Sequence, residues 1–378
     1  MSAFTFSRLN RNRLANWWWT VDKTTLSLIL VIIFIGAFLV FSASPSVART
    51  IGAPDYHFIK RQIVFIFLSL GIIFTLSMQR LKTIRRIAIL GYMLTLLLMI
   101  LTFFAGETKG ASRWIRILGF SLQPSEFIKP TFVVVSAWLL DGSKKFDDFP
   151  GGVLSAALFA LTAGILIAQP DIGMTIVVSC IWAFQLFLAG IPMLLVVGLG
   201  LLGIVGAVGA YFTFSHVHDR IYSFLFSKQE LPYQVEKSLD AFANGNLLGR
   251  GPGEGVVKLH LPDAHTDFIF AVAGEEFGVW LCVILVILFT VVVIRSLWLS
   301  LKDNNLFVIY AAAGLAASFG LQSIINMAST LHLMPTKGMT LPFVSYGGSS
   351  LFASALGMGM LLALTRRNSS AVDKDNLN

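Results

Sequence analysis

Charge is scarce in this sequence. Asp, Glu, Lys and Arg make up 13% of its 378 residues, about half of the roughly 25% typical of a soluble domain. The chain is 56% hydrophobic, with a mean hydropathy of +0.78, and its apolar runs leave no stretch for a soluble domain of ordinary size. Cysteine is nearly missing as well. Cys180 and Cys282 both fall inside apolar runs, which excludes a disulfide scaffold and reads as two small core residues. No repeat of fixed period is evident. No cleavable leader is expected, because Arg8, Arg11 and Arg13 lead through Trp17–Trp19 into a run of full spanning length. A phosphate-cradling loop is also lacking: Gly249–Gly255 (GRGPGEG) has neither the strand before it nor the helix after it that such a site requires, and is expected to be a flexible loop.

What the sequence does have is long apolar segments. A spanning helix takes about 20 such residues, and ten candidates lie near 24–43, 61–78, 84–104, 125–140, 152–168, 173–189, 191–212, 266–294, 305–330 and 345–365. The pairs around Pro170–Asp171 and Gly190–Pro192 read equally as single broken helices. The net charge of +8 is scattered in short loops, so it speaks for topology and anionic lipid and against a nucleic-acid partner. Arg8, Arg11, Arg13 and Lys23, then Arg80, Lys82, Arg85 and Arg86, then Lys144 and Lys145, Arg295 and Lys302, and Arg366 and Arg367 all fall on one side of a ten-helix arrangement. That side is cytoplasmic by the positive-inside rule. The expected fold is therefore an all-α polytopic membrane protein, one integral domain over 1–378 with about ten transmembrane helices. Both termini are cytoplasmic, as the segment 1–23 and the tail 366–378, and one large external loop, 213–265, joins helices 7 and 8.

The chemically busy residues gather on the external side. Glu126 and Lys129 stand three apart near the start of the fourth helix, so they share a face. They are an internal ion pair or, since intramembrane charge is expensive, a functional pair. Asp171 in QPDIG caps the following helix or holds a cation or a lysine. Tyr233–Ala243 forms an amphipathic helix suited to the membrane interface. His216 and His218 have no third ligand at metal spacing and read as solvent-side residues. Leu261–Gly278 (LPDAHTDFIFAVAGEEFG) puts His265, Thr266 and Asp267 where a polar loop meets an apolar helix. Asp267 is there either a helix cap or a carboxylate held at the membrane surface for chemistry. Ser345–Gly348 open the last helix, where free backbone N–H groups favour an anion or small residues permit close packing.

Four motifs occur in register with the spans: ASRWIRILGFSLQPSEFIKP, QPDIG, LPDAHTDFIFAVAGEEFG and PTKGMTLPFVSYGGSSL. Together they resemble the SEDS family (shape, elongation, division and sporulation) over nearly the whole chain, and TKGMTLPF with GRGPGEG–LPDAHTDF resembles its division branch. The resemblance implies a peptidoglycan glycosyltransferase that polymerises lipid II into glycan strands at the outer face of the cytoplasmic membrane, at the division site. It implies as partners the growing strand, a class B penicillin-binding protein of the FtsI type, and other membrane proteins of the divisome. The family's required aspartate matches Asp267. Substrate contacts are expected from Arg113, Trp114, Arg116, Glu126, Lys129, Asp171, His265, Thr266, Lys337, Ser345, Tyr346 and Gly347.

The chemistry fits that set. Lipid II carries its sugar on pyrophosphate in α linkage and the polymer is β-linked, so one displacement with inversion suffices. It takes one base for the acceptor hydroxyl and positive charge for the departing pyrophosphate. Lys109, Arg113, Arg116, Lys129 and Lys337 are candidates for that charge. A helix start favours an ionised but weakly basic Asp267, so substrate or a divalent cation, Mg²⁺ or Mn²⁺, near Asp267 or Asp171 is expected to contribute. An elongation-type polymerase, a lipid II flippase or other transporter, and a non-enzymatic scaffold are the alternatives.

Overall fold

The computed structural model describes residues 13–104, 113–117, 120–213, 218, 222, 224, 232–335 and 338–366. A short helix, α1 (Arg13–Thr20), precedes α2 (Lys23–Thr50), α3 (His57–Ser77) and α4 (Leu81–Thr102). A hairpin of β1 (Ile115–Ile117) and β2 (Phe120–Leu122) leads into α5 (Pro124–Lys145), α6 (Gly151–Ala168), α7 (Ile172–Leu188) and α8 (Met193–Thr213). Then come α9 (Tyr233–Gly245), a 3₁₀ turn at Val257–Leu259, α10 (Ile269–Leu301), α11 (Leu306–Thr330) and α12 (Gly348–Leu364). A helix thus lies at each of the ten apolar stretches. The chain breaks fully at Pro170 and at Gly190, giving three separate helices, α6, α7 and α8. Among the described residues six helices, α2, α3, α4, α6, α10 and α11, are long and apolar enough to cross a bilayer.

Burial divides the bundle into an inner and an outer set. Nearly every residue of α5 from Pro124 to Gly142 is buried, as is most of α11. Both contact each other and α12, and they form the centre. Around them α2, α3, α4, α6 and α10 expose Phe34, Phe67, Leu90, Val153 and Ile294, the inverse of a soluble surface, as lipid contact requires. Cys180 also lies on this exposed face rather than in the core, whereas Cys282 is buried. On the side where α1 begins and α12 ends, Asp22 caps α2 through the Thr25 amide, 3.0 Å, and takes two bonds from Arg295 of α10 at 2.5 and 2.7 Å.

The eighth expected span is not one straight helix. At Gly278 the backbone turns to φ +71°, ψ −169°, a conformation open to glycine and strained for other residues. Val279–Leu301 alone is about 35 Å of helix, enough to cross the hydrocarbon. Ile269–Phe277 is therefore a short half-helix set above the crossing. A break so close to lipid strands backbone groups, and the preceding loop satisfies them. The amides of Arg250 and Gly251 donate to the carbonyls of Glu275 and Glu276, both 2.9 Å, and the Val279 amide donates to Asn246, 3.1 Å.

Two expectations for the large loop are corrected here. The GRGPGEG segment is ordered, because it wraps two buried carboxylates. Glu275 accepts from the amides of Val256, Val257 and Lys258 and from Asn244 Nδ2, all between 2.7 and 2.9 Å. Glu276 pairs with the Lys258 ammonium and accepts from Ser42 Oγ at 2.6 Å. The amphipathic α9, in turn, packs its apolar face on protein rather than on lipid. Its Val235–Ser238–Ala241–Gly245 face is buried, Phe242 meets Phe270 edge-on at 5.7 Å, and Ser238 Oγ donates to the Thr330 carbonyl at 2.7 Å. An apolar stripe serves either surface; the protein offered a complementary one in α10.

The break gives the first prediction. A Cβ at Gly278 would stand 2.3 Å from the Leu247 carbonyl oxygen, with φ already positive. Gly278→Ala is expected to destabilise the protein by about 3 kcal/mol or more, read as a lower melting temperature in detergent. An unchanged melting curve would mean that the half-helix is not fixed as described.

Candidate functional site

Asp267 sits in a tight turn before the half-helix. The amides of Thr266 and Phe268 and the Thr266 hydroxyl all donate to the Asp263 carbonyl, at 3.0, 3.3 and 3.1 Å. The N-cap of α10 is Phe268, with no side-chain cap bond, so the cap reading of Asp267 falls away. Its carboxylate is half-buried and lies against the backbone of Gly338, where a Cβ would stand 3.2 Å from Oδ2. Gly338 has φ +60°, so glycine supplies both the turn and the close approach there.

The last loop is stitched to this turn residue by residue. Ser345 Oγ donates to the Thr266 carbonyl at 2.5 Å and accepts from the Leu341 amide at 2.8 Å. The Tyr346 amide donates to the His265 carbonyl at 2.8 Å. Asn326 Nδ2, from α11, donates to the carbonyls of Asp267 and Met339 at 2.9 and 2.6 Å. The His265, Phe58 and Tyr346 rings form a triangle, with His265 at centroid distances of 4.6 and 5.0 Å from the other two and those 5.1 Å apart. Burial pushes its pKa down to about 4, so the imidazole is neutral at physiological pH. His265 is thus an aromatic wedge in this structure and carries no positive charge.

Lys129 and Glu126 form the expected pair, 2.7 Å apart and each under a tenth exposed. Lys129 Nζ also donates to Gln322 Oε1 at 2.6 Å. Gln322 in turn donates to the Thr340 carbonyl at 3.0 Å. A cavity of about 30 Å³, roomy enough for water, opens beside Lys129, Gln322, Ser318 and Pro342. Asp171 does cap α7, accepting from the Met174 amide at 3.2 Å, and it faces Arg113 Nη1 at 3.6 Å. The same guanidinium donates to the carbonyls of Gln169 and Pro170. Trp114 is exposed, and Arg116 pairs with Ser121 across the β hairpin. Lys109 and Lys337 lie outside the described residues.

The start of α12 favours the packing reading of Ser345–Gly348. Gly348 meets the Phe65 ring, to which a Cβ would come within 3.1 Å. Gly347 is the N-cap, and Ser349 Oγ accepts from the Gln123 amide at 3.0 Å, tying the helix to the hairpin. Among the described residues no three His, Cys, Asp or Glu side chains gather as a metal cluster.

Sequence reasoning passed over Gln322 and Asn326, four apart on α11, and Glu275, Glu276 and Lys258. A signal existed for each group: amide side chains at helical spacing in an apolar helix, and two carboxylates inside an apolar run. Arginine and lysine drew attention because charge is conspicuous, whereas the buried amides make as many of the ties between loops.

Fold and site together define an integral membrane protein with Glu126, Lys129, Asp171 and Asp267 gathered at the end of the helix bundle opposite the Asp22–Arg295 pair. The chain belongs to the FtsW, RodA and SpoVE family of cell cycle proteins, whose family model matches residues 23–370. It is 41% identical over 97% of its length to a protein of Caulobacter vibrioides named "Probable peptidoglycan glycosyltransferase FtsW", 94% of which is covered. A relative of the same name from Trichlorobacter lovleyi is 33% identical over 91% of this chain and 93% of its own length. Among solved structures, a chain from a peptidoglycan synthase complex described as coordinating polymerization and crosslinking superposes with a TM-score of 0.77. It has 28% identity and covers 92% of this chain and 98% of its own. The rod shape determining protein RodA of Thermus thermophilus gives 0.66 at 26% identity, over 92% and 97%.

Proposed function

We propose that this protein is the peptidoglycan glycosyltransferase of cell division, polymerising lipid II at the outer face of the cytoplasmic membrane. The observation that carries this reading is the state of Asp267. It is a half-buried carboxylate at the rim of the bundle, against the Gly338 backbone and on a turn braced by three other elements. Asp267 takes the proton of the acceptor hydroxyl as that oxygen attacks the donor sugar, and the pyrophosphate departs from the opposite face. The cationic groups at the same end, Arg113 and Lys129 among them, steady its charge. Lys129 is held at that end by Glu126 and Gln322, and Arg113 by Asp171 and the Gln169 and Pro170 carbonyls. The polyprenyl tails stay in lipid while the heads react. A divalent cation, Mg²⁺ or Mn²⁺, would be held in this reading by the Asp267 carboxylate and would offset the phosphate charge of the donor.

The position of the helix break supports an enzyme over a flippase. Transporters interrupt helices near the bilayer midplane, whereas here about 35 Å of helix remains beyond Gly278. The partners in this reading are lipid II, the growing strand, a class B penicillin-binding protein that crosslinks the product, and other divisome membrane proteins at the division site. The test is polymerisation of lipid II by purified protein, with and without that penicillin-binding partner. Glycan strands are expected; none under either condition would overturn the reading.

Orientation has its own test. Asp240 is exposed on α9, so Asp240→Cys is expected to react with a membrane-impermeant maleimide in intact, outer-membrane-permeable cells. Reaction only after the cytoplasmic membrane is opened would put the site on the wrong side.

A further inference from the structure

We propose that Gln322 and Asn326 are positioning residues, an amide clamp that sets Lys129 and Asp267 together through the last loop. The inference rests on the glycosyltransferase reading above. Both side chains are almost wholly buried, at 4% and 1% exposure, and they stand one helical turn apart on α11. Each NH₂ group holds a carbonyl of the same loop: Gln322 that of Thr340, and Asn326 that of Met339. Each side chain also reaches a second element that carries ionisable chemistry. Gln322 Oε1 accepts from Lys129 Nζ, and Asn326 Nδ2 donates to the main chain of Asp267.

The two loop carbonyls belong to consecutive peptide units joined at the Thr340 Cα, so displacing one displaces the other. A shift of residues 339–340 is therefore felt by the base and by the ammonium at once. Both Nδ2 hydrogens of Asn326 are committed, and its Oδ1 is buried with no partner among the described residues. The Thr340 hydroxyl closes the far side at 2.5 Å from Ser350 Oγ of α12, so the loop is held between two helices.

Gln185 supplies the control. It is equally buried, its Nε2 donates to two carbonyls, Val133 and Tyr310, at 2.8 and 3.2 Å, and its Oε1 is likewise unpartnered. It differs in place: Tyr310 lies about 24 Å along α11 from Asn326. The experiment compares Asn326→Leu, Gln322→Met and Gln185→Leu in the full-length protein, by lipid II polymerisation and by hydrogen exchange. Asn326→Leu and Gln322→Met are expected to lower kcat about 10- to 100-fold with KM within about threefold of wild type, as a misplaced base does. Exchange should rise in both 263–268 and 338–345. Gln185→Leu should melt lower by a similar margin and keep its kcat. A purely structural role predicts that all three variants look alike, and that result, or a response confined to one of the two segments, overturns the clamp. If Asn326→Leu is not recovered folded, Asn326→Ser, which keeps a donor for one carbonyl, carries the same readouts. Asp267→Asn run alongside keeps the two ideas apart: if it polymerises, the base assignment has failed, while the exchange data still decide the clamp.

Discussion

Asp267→Asn yields a folded, membrane-inserted protein that makes no glycan strand. Asn keeps the size and hydrogen-bonding shape of the side chain. Because Phe268, not Asp267, is the N-cap of α10 and makes no side-chain cap bond, the exchange forfeits no capping energy. The Asn326 bond goes to the Asp267 main chain, so it survives too. What Asn cannot do is take a proton, and loss of a general base lowers a rate by about 10²-fold to 10⁴-fold. The measurement is polymer length and yield from purified protein, together with lipid II affinity. Affinity should stay near wild type while product disappears. Polymerisation within a few-fold of wild type would remove Asp267 from the chemistry, however well the turn is built around it.

The second large effect is expected at the Glu126–Lys129 pair. Both side chains are buried, Lys129 at 3% and Glu126 at 7% exposure, and opening a buried pair from one side leaves a bare charge, at a cost of about 3–5 kcal/mol. Lys129→Ala should therefore melt well below wild type and polymerise little or nothing. Since fold and function fall together in that variant, the double change Glu126→Gln with Lys129→Met is the informative one. It removes both charges and keeps the volume, so stability should return to within about 1–2 kcal/mol of wild type. Activity should stay lost, because the ammonium that Gln322 orients is gone. Recovery of activity with stability would reduce the pair to packing.

How much of this was legible beforehand differs from element to element. The spans were, because lipid imposes a length and a composition that few sequences meet by accident. Pro124 at the first turn of α5 and the three-residue spacing of Glu126 and Lys129 carried their meaning locally. The β hairpin did not, since three-residue strands are too short to show a period of two. The break at Gly278 was hidden by its apolar neighbours; the hint was the pair of carboxylates just before it, which an unbroken span could not have left toward lipid. GRGPGEG looked flexible because glycine was read as freedom. A Cβ at Gly249 would meet the Glu276 carbonyl oxygen at 2.2 Å, so that glycine marks close approach. Local pattern likewise could not say that α9 would find α10 rather than lipid, or which carbonyls Gln322 and Asn326 would hold. Those are facts about partners far away in the sequence.

The braced break at Gly278 also bears on how the protein is made. Chains emerge N-terminus first, so α9 and the loop through Lys258 leave the ribosome before the half-helix they brace. Ser42, on the first long helix, is by then already in the bilayer. Lys258 must stay hydrated until Glu275 and Glu276 follow, and only then does the ammonium have its carboxylate and the loop its scaffold. The competing product is one uninterrupted span, with two carboxylates drawn into hydrocarbon and the loop left outside. The loop can therefore join the half-helix only after both have been synthesised, and the turn that carries Asp267 is completed no earlier.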